Sequence, residues 1–274
     1  MKICHFIYDD IANPWLGGGG AVRAREIYGR LAERHEITLV TGLFPGVARE
    51  EDSDGLHFVR VGSDRSYARS RLAYCRAAVR ELQMRDWDLW VNEFSAFAPL
   101  VVPARLRRRG LLFFQHFMGI NALVKRPLVG AVAWLAERRV LHAYSRILTV
   151  SPGVQAQVRQ SVRHQDTVVD CVCNGVDKRY FDLEVNEAPY ILFFGRADVH
   201  MKGLDILVKA FALIAEEYPE LRLKMAGRSE AGQARKLGGL VEAAGLSARV
   251  DMLGGVSEED KGELMRGALF ACMP

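Results

Sequence analysis

The sequence has few cysteines and no long apolar run. Its five cysteines are odd in number and contain no C-x-x-C pair, so they indicate neither a disulfide framework nor a zinc site. No apolar stretch approaches the roughly 18 residues that a membrane-spanning helix needs. The N-terminus, MKICHFIYDD, is more typical of a first β-strand than of a secretory signal. These absences predict a cytoplasmic protein.

Low-complexity segments and solenoid-type repeats are also lacking. The 274 residues, 50% of them hydrophobic, are enough for two cores at roughly 100 to 200 residues per domain. The net charge of +4 is modest, and the basic clusters are not interleaved with an aromatic or helix-turn-helix motif. Nucleic acid is therefore not an expected partner.

Short apolar runs alternate with segments of helical periodicity along the whole chain. This alternation predicts an α/β fold with two Rossmann-like, doubly wound lobes. The predicted first domain covers residues 1–173 and the second covers 189–274. Residues 174–188 are rich in turn-forming and acidic residues, which indicates a linker. Seven strands are predicted in the first domain, and three strands followed by a final apolar run in the second.

Two cations, Arg196 and Lys202, lie between a predicted buried strand and a predicted helix, Leu204 to Ala215. Gly195 permits a tight exit from the strand. Ligands of parallel α/β sheets bind beyond the carboxyl ends of the strands, where helix N-termini add partial positive charge. We therefore expect Arg196 and Lys202 to meet a phosphate-bearing ligand. For this segment alone, an ordinary basic surface loop is the alternative.

Several further segments stand in a distinctive order: KICHFIYDD, GGGGAVRAREIYGRLAERHEITLVT, FFQHF, ILTVSPGV, CNGVD, FFGRADVHMKGLDILVKAF, LKMAGRSE and VDMLGGVSEEDKGELMRGALFACMP. In this order the sequence resembles the retaining GT-B glycosyltransferases of family 4 and group 1. The resemblance covers nearly the whole chain, and the GR-x5-KG block after NGVD is its most specific element.

The resemblance implies transfer of a sugar from a nucleotide-diphosphate sugar to a hydroxyl acceptor, with the anomeric configuration retained. It implies no metal and no cofactor other than this co-substrate. The acceptor is expected to be a glycan, a lipid-linked precursor or a small molecule. Arg196 and Lys202 are expected to stabilise the leaving diphosphate, and His116, in FFQHF, to touch the donor sugar. A histidine that caps a strand for structural reasons is the alternative for His116.

The glycine run at Gly17, Gly18, Gly19 and Gly20 does not fit the dinucleotide fingerprint G-x-G-x-x-G, because no glycine stands at its third position. A Rossmann oxidoreductase is therefore disfavoured. Gly17, Gly18 and Gly19 would let backbone N–H groups approach a sugar diphosphate, and a flexible connection is the alternative. Gly227 is a second glycine that is expected to contact the nucleotide. The alternative is that it is the ordinary glycine of a strand-to-helix turn.

The end of the sequence departs from the family pattern. In the resembling enzymes a PS-x-x-EGFG-like segment with two glutamates follows the last strand, whereas this chain stops at Met273-Pro274. We therefore expect the second lobe to be incomplete at its C-terminus. A noncatalytic GT-B-like remnant that binds a nucleotide or a protein partner stays an alternative, as does, more weakly, a GT-B sugar epimerase or phosphorylase.

The basic clusters have two interpretations. Arg65 to Arg71, Arg105 to Arg109 and the apolar-basic segment Lys125 to Arg139 are either solvated helix faces or surfaces that contact anionic lipid headgroups. Peripheral membrane contact at the inner face of the membrane is thus a possible addition to a cytoplasmic location. Arg23 and Glu26, on the helix after the glycine run, are interpreted as a solvated helix face, and a position lining the acceptor side is the alternative.

Overall fold

The computed structural model describes residues 1–15, 17–95, 98, 102–107, 109–119, 127–164 and 166–274. Arg108, Lys125 and Arg126, which belong to the predicted basic clusters, lie outside the described residues. The chain divides into two compact units, Met1–Gly175 and Val176–Pro274. The division falls at the start of the segment 174–188 that the sequence indicates as a linker.

The first unit carries an eight-stranded sheet flanked by helices. Its strands are β1 Lys2–Phe6, β2 Glu36–Gly42, β3 Glu50–Ser53, β4 Leu56–Val61, β5 Leu89–Glu93, β6 Gly110–Phe114, β7 Arg146–Thr149 and β8 Val168–Cys171. Its helices are α1 Gly19–Leu31, α2 Tyr67–Met84, α3 Ala104–Arg107, α4 Pro127–Leu141 and α5 Pro152–Ser161.

The order of these strands in the sheet is β3-β4-β2-β1-β5-β6-β7-β8. All neighbouring pairs are parallel except β3 with β4. From β1 the chain builds outward first through β2 and β4, and then returns to add β5 on the other side of β1. The boundary between β1 and β5 is therefore the switch point of the sheet, where ligands of doubly wound folds bind at the carboxyl ends of the strands.

The edge strand β3 is not among the strands predicted from the sequence. It forms a hairpin with β4 through Asp54 and Gly55, which have φ values of 53° and 75°. Two consecutive positive φ values are the requirement of a type I′ turn, and Asp-Gly is one of its preferred sequences. The connection from β2 to β4 thus runs through a hairpin, and the α1 face of the sheet carries no helix over β2 and β4 in residues 43–55.

The two faces of the sheet have separate apolar cores. Ile3 of β1 and Ile7, which directly follows the strand, pack with Ala24 and Tyr28 of α1. Cys4 and Phe6 alternate with them and belong to the core on the opposite face. This alternation, typical of a strand covered on both faces, also directs the buried side chain of His5 towards the α1 face.

The second unit has a four-stranded parallel sheet of order β11-β10-β9-β12. Its strands are β9 Ala188–Phe194, β10 Arg222–Ala226, β11 Val250–Gly254 and β12 Ala268–Ala271, and its helices are α6 Leu204–Ala215, α7 Ala231–Ala243 and α8 Glu258–Gly267. A short 3₁₀ helix, Lys178–Tyr180, precedes β9, and the side chain of Asp177 caps it by accepting a hydrogen bond from the backbone N–H of Arg179. The core joins β9, β10 and the inner faces of α6 and α7.

Candidate functional site

The switch point of the first sheet gathers two carboxylates at the start of α1. Asp9 follows β1, and Glu93 ends β5, the neighbouring strand. A Cβ atom added at Gly20 would lie 3.3 Å from Glu93 Oε1 and 3.4 Å from Asp9 Oδ2. Gly20 therefore allows the first turn of α1 to approach both carboxylates closely.

The glycine run leads into this helix N-terminus. Gly18 is the N-cap of α1 and provides no side chain to satisfy the first N–H groups of the helix. A Cβ at Gly17 would lie 2.8 Å from the carbonyl oxygen of Ile11, whereas one at Gly19 would meet open space. Gly17 is thus required by packing, and Gly19 leaves room beside uncapped N–H groups. The predicted contact of Gly17, Gly18 and Gly19 with a diphosphate stays a prediction.

Glu93 is the centre of a buried polar network. Its Oε2 accepts a hydrogen bond of 2.5 Å from Arg23 Nη2, its Oε1 accepts one from Gln115, and His5 Nε2 lies 3.1 Å from Oε2. Burial acts to raise the pKa of Glu93, but His5, Arg23 and Gln115 together hold it below its ordinary value. Glu93 is therefore a buried anion fixed by three partners.

Arg23 lies inside this network and not on a solvated helix face. Its side chain is only 12% exposed, and its guanidinium carbon lies 3.9 Å from the centroid of the Phe113 ring. The interpretation of Arg23 as a solvated residue is therefore wrong. Glu26 is exposed and forms an ion pair with Arg30 of the same helix, as a solvated face requires.

Asp9 has an unusual acidity for an aspartate. Burial and the neighbouring charge of Glu93 raise its pKa to about 6, although Arg71 acts in the opposite direction. A carboxyl group with a pKa near 6 exchanges protons at nearly neutral pH, so Asp9 can accept or donate a proton in a reaction at this edge.

His116 is exposed in the loop after β6, at the carboxyl end of a strand as predicted. Just before it, Gln115 donates to Glu93. Just after it, the backbone N–H of Met118 donates to Oε2 of Glu137, a residue of α4 that is only 3% exposed, over 2.5 Å. Two buried carboxylates thus hold the chain on both sides of His116, one through the side chain of Gln115 and one through the backbone of Met118, and the imidazole of His116 is presented to solvent. The contact of His116 with a donor sugar stays a prediction.

In the second unit, Arg196 and Lys202 lie in the loop between β9 and α6, as predicted. Arg196 is exposed and Lys202 is half-buried. The loop is fixed by its backbone: Ala197 N–H donates to Arg228 O, Lys202 N–H to Asp198 O and Leu204 N–H to Val199 O. In the part of the chain that the structure describes, neither Arg196 nor Lys202 has a carboxylate partner. Both charges are therefore available to an anion.

The loop ends at Gly203, which is the N-cap of α6 and has a φ of 61°. Gly203 offers no side chain to the N–H groups of the first helical turn. As at α1, an uncapped helix N-terminus therefore stands beside the candidate ligand residues, and it adds partial positive charge to that of the two cations.

Gly195 and Gly227 are in contact at the carboxyl ends of β9 and β10. Gly195 N–H donates to Ala226 O over 2.9 Å, and Gly227 has a φ of 145°. A Cβ at Gly227 would overlap the carbonyl oxygen of Gly195. The packing of the two turns thus requires a glycine at 227, whether or not a nucleotide also contacts it.

Replacing Gly227 by alanine should lower the free energy of unfolding by about 3 kcal/mol or more, because the change adds both a strained φ and a backbone overlap. Gly239→Ala is the matched control: Gly239 is interior to α7, with open space around its Cβ position. There alanine should be neutral or stabilise the protein by about 0.5 to 1 kcal/mol. Urea unfolding followed by circular dichroism compares the two variants, and equal stability would contradict the packing argument.

The first unit has a cavity of about 340 Å³ on the α1 face, over β2 and β4. Asp10 and Arg60 line it and form a buried ion pair of 2.8 Å, and Glu51 of β3 accepts a second hydrogen bond from Arg60 over 2.6 Å. The cavity lies where the connection through the β3 hairpin leaves the sheet without a covering helix, and it reaches Asp9.

The sequence analysis did not identify Asp9, Glu93, Gln115 or Glu137. The first three share one signal: each is a polar residue at or directly beyond the carboxyl end of a predicted strand. Glu137 lies within the apolar pattern of α4 and has no comparable signal.

No group of three or more His, Cys, Asp and Glu side chains among the residues that the structure describes is arranged to hold a metal ion. Among those same residues, no helix has the length and apolar character needed to span a membrane.

Two family models match the chain. Residues 17–180 match Glycosyltransferase Family 4, and residues 177–274 match Glycosyl transferases group 1. Among curated proteins, a phosphatidyl-myo-inositol mannosyltransferase of Mycobacterium tuberculosis is 31% identical over 107 residues, which are 37% of this chain and 27% of that protein. Spore coat protein SA of Bacillus subtilis is 24% identical over 83% of this chain and 61% of its own length. The match thus spans less than two thirds of either relative.

Solved structures of the same architecture cover nearly all of the chain. Sucrose-phosphate synthase from Thermosynechococcus elongatus matches with a TM-score of 0.77 and 18% identity, over 98% of this chain and 74% of that one. WaaG, a glycosyltransferase of lipopolysaccharide biosynthesis, gives 0.72 at 15% identity, over 99% and 74%. HepE of Anabaena, in complex with UDP-glucose, gives 0.65 at 17% identity, over 100% and 73%.

These structural matches establish the fold as GT-B, with two Rossmann-like lobes. The family 4 model covers more than half of the chain, and the chain therefore belongs to glycosyltransferase family 4.

Proposed function

We propose that this protein transfers a sugar from a nucleotide-diphosphate sugar to a hydroxyl acceptor, with the anomeric configuration retained and without a metal ion. The observation that carries the proposal is a pair of cations, Arg196 and Lys202, that have no carboxylate partner among the described residues and lie on a loop that leads into the uncapped N-terminus of α6. HepE, a protein of the same fold, was solved with UDP-glucose. This supports a nucleotide sugar as the donor.

The proposed chemistry follows from where charge develops. As the bond between the sugar and the diphosphate breaks, negative charge accumulates on the leaving phosphate oxygens. A guanidinium, an ammonium and helix N–H groups fixed beforehand can stabilise this charge without a metal ion. Arg196 and Lys202 have these roles in our proposal, and Gly195 and Gly227 allow the nucleotide to approach the backbone. We assign His116 to the donor sugar, because its loop is held on both sides by buried carboxylates.

Side chains before α1 and at the start of α2 support a sugar-like acceptor. The rings of Trp15 and Tyr67 lie 6.4 Å apart in an edge-to-face arrangement, and Arg71 Nη1 donates to the Tyr67 hydroxyl over 2.6 Å. Aromatic faces stack on the apolar faces of sugar rings, while carboxylates and guanidinium groups bond their hydroxyls. Asp9, whose pKa Arg71 acts to lower, supplies the carboxylate. A glycan, a lipid-linked sugar and a small polyol all fit this description.

A cytoplasmic location with peripheral membrane contact is part of the proposal. On α4, Val132 and Leu135 are 61% and 53% exposed, and Arg138 and Arg139 are exposed on the same helix. Apolar side chains beside arginines suit a surface of anionic lipid headgroups.

The protein as its gene encodes it should be assayed with UDP-, GDP- and ADP-linked sugars. We expect one of them to raise the melting temperature, and nucleoside diphosphate to be released in the presence of a sugar acceptor and excess EDTA. A ligand at 100 times its Kd adds about 2.7 kcal/mol of stability. NMR of the anomeric proton should show that the product has the same anomeric configuration as the donor.

Each of the other outcomes contradicts one part of the proposal. Binding without release of nucleoside diphosphate would favour the noncatalytic remnant. Isomerisation of the sugar without an acceptor would favour the epimerase. Release that stops in EDTA would contradict the metal-independent mechanism, and an inverted product would contradict retention.

A further inference from the structure

A second cavity, of about 370 Å³, lies at the opposite edge of the first sheet from Asp9 and Glu93. Its lining includes Trp87, two residues before β5, and Arg109, which directly precedes β6. Glu93 and Gln115 stand at the other ends of these two strands. Strands of five residues rise about 3.3 Å per residue, so the cavity is roughly 15 Å from the candidate active-site edge. It is a separate site.

Arginines dominate the lining of this cavity. Arg85, at the end of α2, Arg105 of α3 and Arg109 all border it, together with one carboxylate, Asp86. Arg85 is partly neutralised by Glu50 at 3.3 Å and Glu81 at 3.7 Å.

Arg105 and Arg109 are not neutralised in the same way. Within the described ranges neither has a carboxylate within ion-pair distance, and Arg109 Nη1 donates to the backbone oxygen of Trp87 over 3.1 Å. Both side chains keep N–H donors that are free for a ligand. Because two guanidinium charges remain without a partner, the cavity favours an anion.

Two tryptophans, Trp87 and Trp90, form an apolar part of the cavity lining. The side chain of Trp87 is 8% exposed, and its Nε1 atom is buried without a hydrogen-bond partner among the described residues. The neighbouring Trp90, which also lines the cavity, donates its own Nε1–H to Leu106 O over 2.8 Å. Because the Nε1 atom itself is buried, Trp87 borders the cavity with the apolar part of its ring.

We propose that this cavity binds a small phosphate-bearing anion, with Arg105 and Arg109 as its donors. Guanidinium groups bind phosphate oxygens in pairs, and a tetrahedral phosphate has enough acceptors for two arginines. The ligand is either a free phosphate compound or the phosphate of a lipid headgroup.

The test uses inorganic phosphate and pyrophosphate, titrated into the protein as its gene encodes it. All four tryptophans, Trp15, Trp87, Trp90 and Trp134, belong to the first unit, and two of them line the cavity, so intrinsic fluorescence reports on binding there. The titration is made in an Arg196→Ala, Lys202→Ala background, which removes the cations proposed for the donor diphosphate. Failure of this site is thereby separated from failure of the proposed function.

We expect saturable binding of pyrophosphate that the pair Arg105→Gln, Arg109→Gln weakens at least tenfold. The pair Arg69→Gln, Arg76→Gln on α2 changes the net charge equally, away from the cavity, and should change the affinity less than twofold. Circular dichroism verifies that each variant is folded.

Two further arms identify the source of the phosphate. Binding of free pyrophosphate alone supports a soluble ligand. Binding to vesicles that contain phosphatidic acid, with the same loss in the Arg105→Gln, Arg109→Gln variant, supports a headgroup. No saturable binding of either probe would overturn the proposal, and so would an equal loss of affinity in the two arginine pairs.

Discussion

Replacing Lys202 by alanine should lower the rate of sugar transfer about 100- to 1000-fold and leave the free energy of unfolding nearly unchanged. The large expected effect has a physical reason: a preorganised donor that faces charge developing in the transition state contributes far more to the rate than to ground-state binding. Lys202 has no carboxylate partner among the described residues, so its loss leaves no buried counter-charge behind. Steady-state release of nucleoside diphosphate, with donor saturating, measures the change.

Lys209→Ala is the matched control for this prediction. Lys209 is an exposed lysine of α6, one of the elements that position Lys202, and its removal changes the net charge by the same amount. It should keep the turnover within about a factor of two, as surface substitutions do. If Lys202→Ala also kept near-normal turnover, the assignment of Lys202 to the leaving diphosphate would fail. If both variants lost activity equally, a general charge effect would replace a local one.

The parts of the fold that the sequence predicts well are those with a local signal. Apolar runs locate the parallel strands, and the helical periodicity gives α6 with the observed bounds, Leu204–Ala215. Strand β3 was missed because EEDS has no apolar pattern. It is a polar edge strand, and its only local signal is the Asp54-Gly55 turn, which an analysis based on apolar runs alone does not detect.

The residues of the candidate site also differ in whether they have a local signal in the sequence. Arg196 and Lys202 were found because strand, loop and helix are contiguous in the chain. The network of Glu93 was missed because its members come together only through the order of strands in the sheet: Arg23 is 70 residues from Glu93 in the sequence, and His5 lies on a different strand. From the sequence alone Arg23 was therefore assigned to a solvated helix face, although Phe113 and Glu93 cover it.

Replacing Glu93 by alanine should lower the free energy of unfolding by about 3 to 5 kcal/mol. The change removes the carboxylate that fixes Arg23 and Gln115, and it leaves a guanidinium that is only 12% exposed without its counter-charge. Breaking a buried ion pair by deleting one member has a cost of this size. Chemical denaturation, with linear extrapolation to water, measures the loss.

Glu26→Ala provides the control for this change. Glu26 is also a glutamate paired with an arginine, but its ion pair with Arg30 is exposed, at 62% and 75% of the two side chains. Exposed i,i+4 pairs contribute about 0.3 to 0.5 kcal/mol. A loss at Glu93 as small as the loss at Glu26 would contradict the buried network.

Replacing Glu93 by alanine should also change how the free energy of unfolding depends on pH, because Glu93 is one of the causes that raise the pKa of Asp9 to about 6. With a folded pKa above the ordinary 3.8, Asp9 binds a proton more tightly in the folded state. Its contribution therefore favours folding at low pH and is lost as the pH rises from about 4 through 6. In Glu93→Ala this loss should be smaller and centred at a lower pH, although burial, the larger cause, keeps the pKa of Asp9 raised. Asp9→Asn isolates the effect: its stability relative to the unchanged protein should rise between pH 4 and pH 6, and a constant difference would contradict the raised pKa.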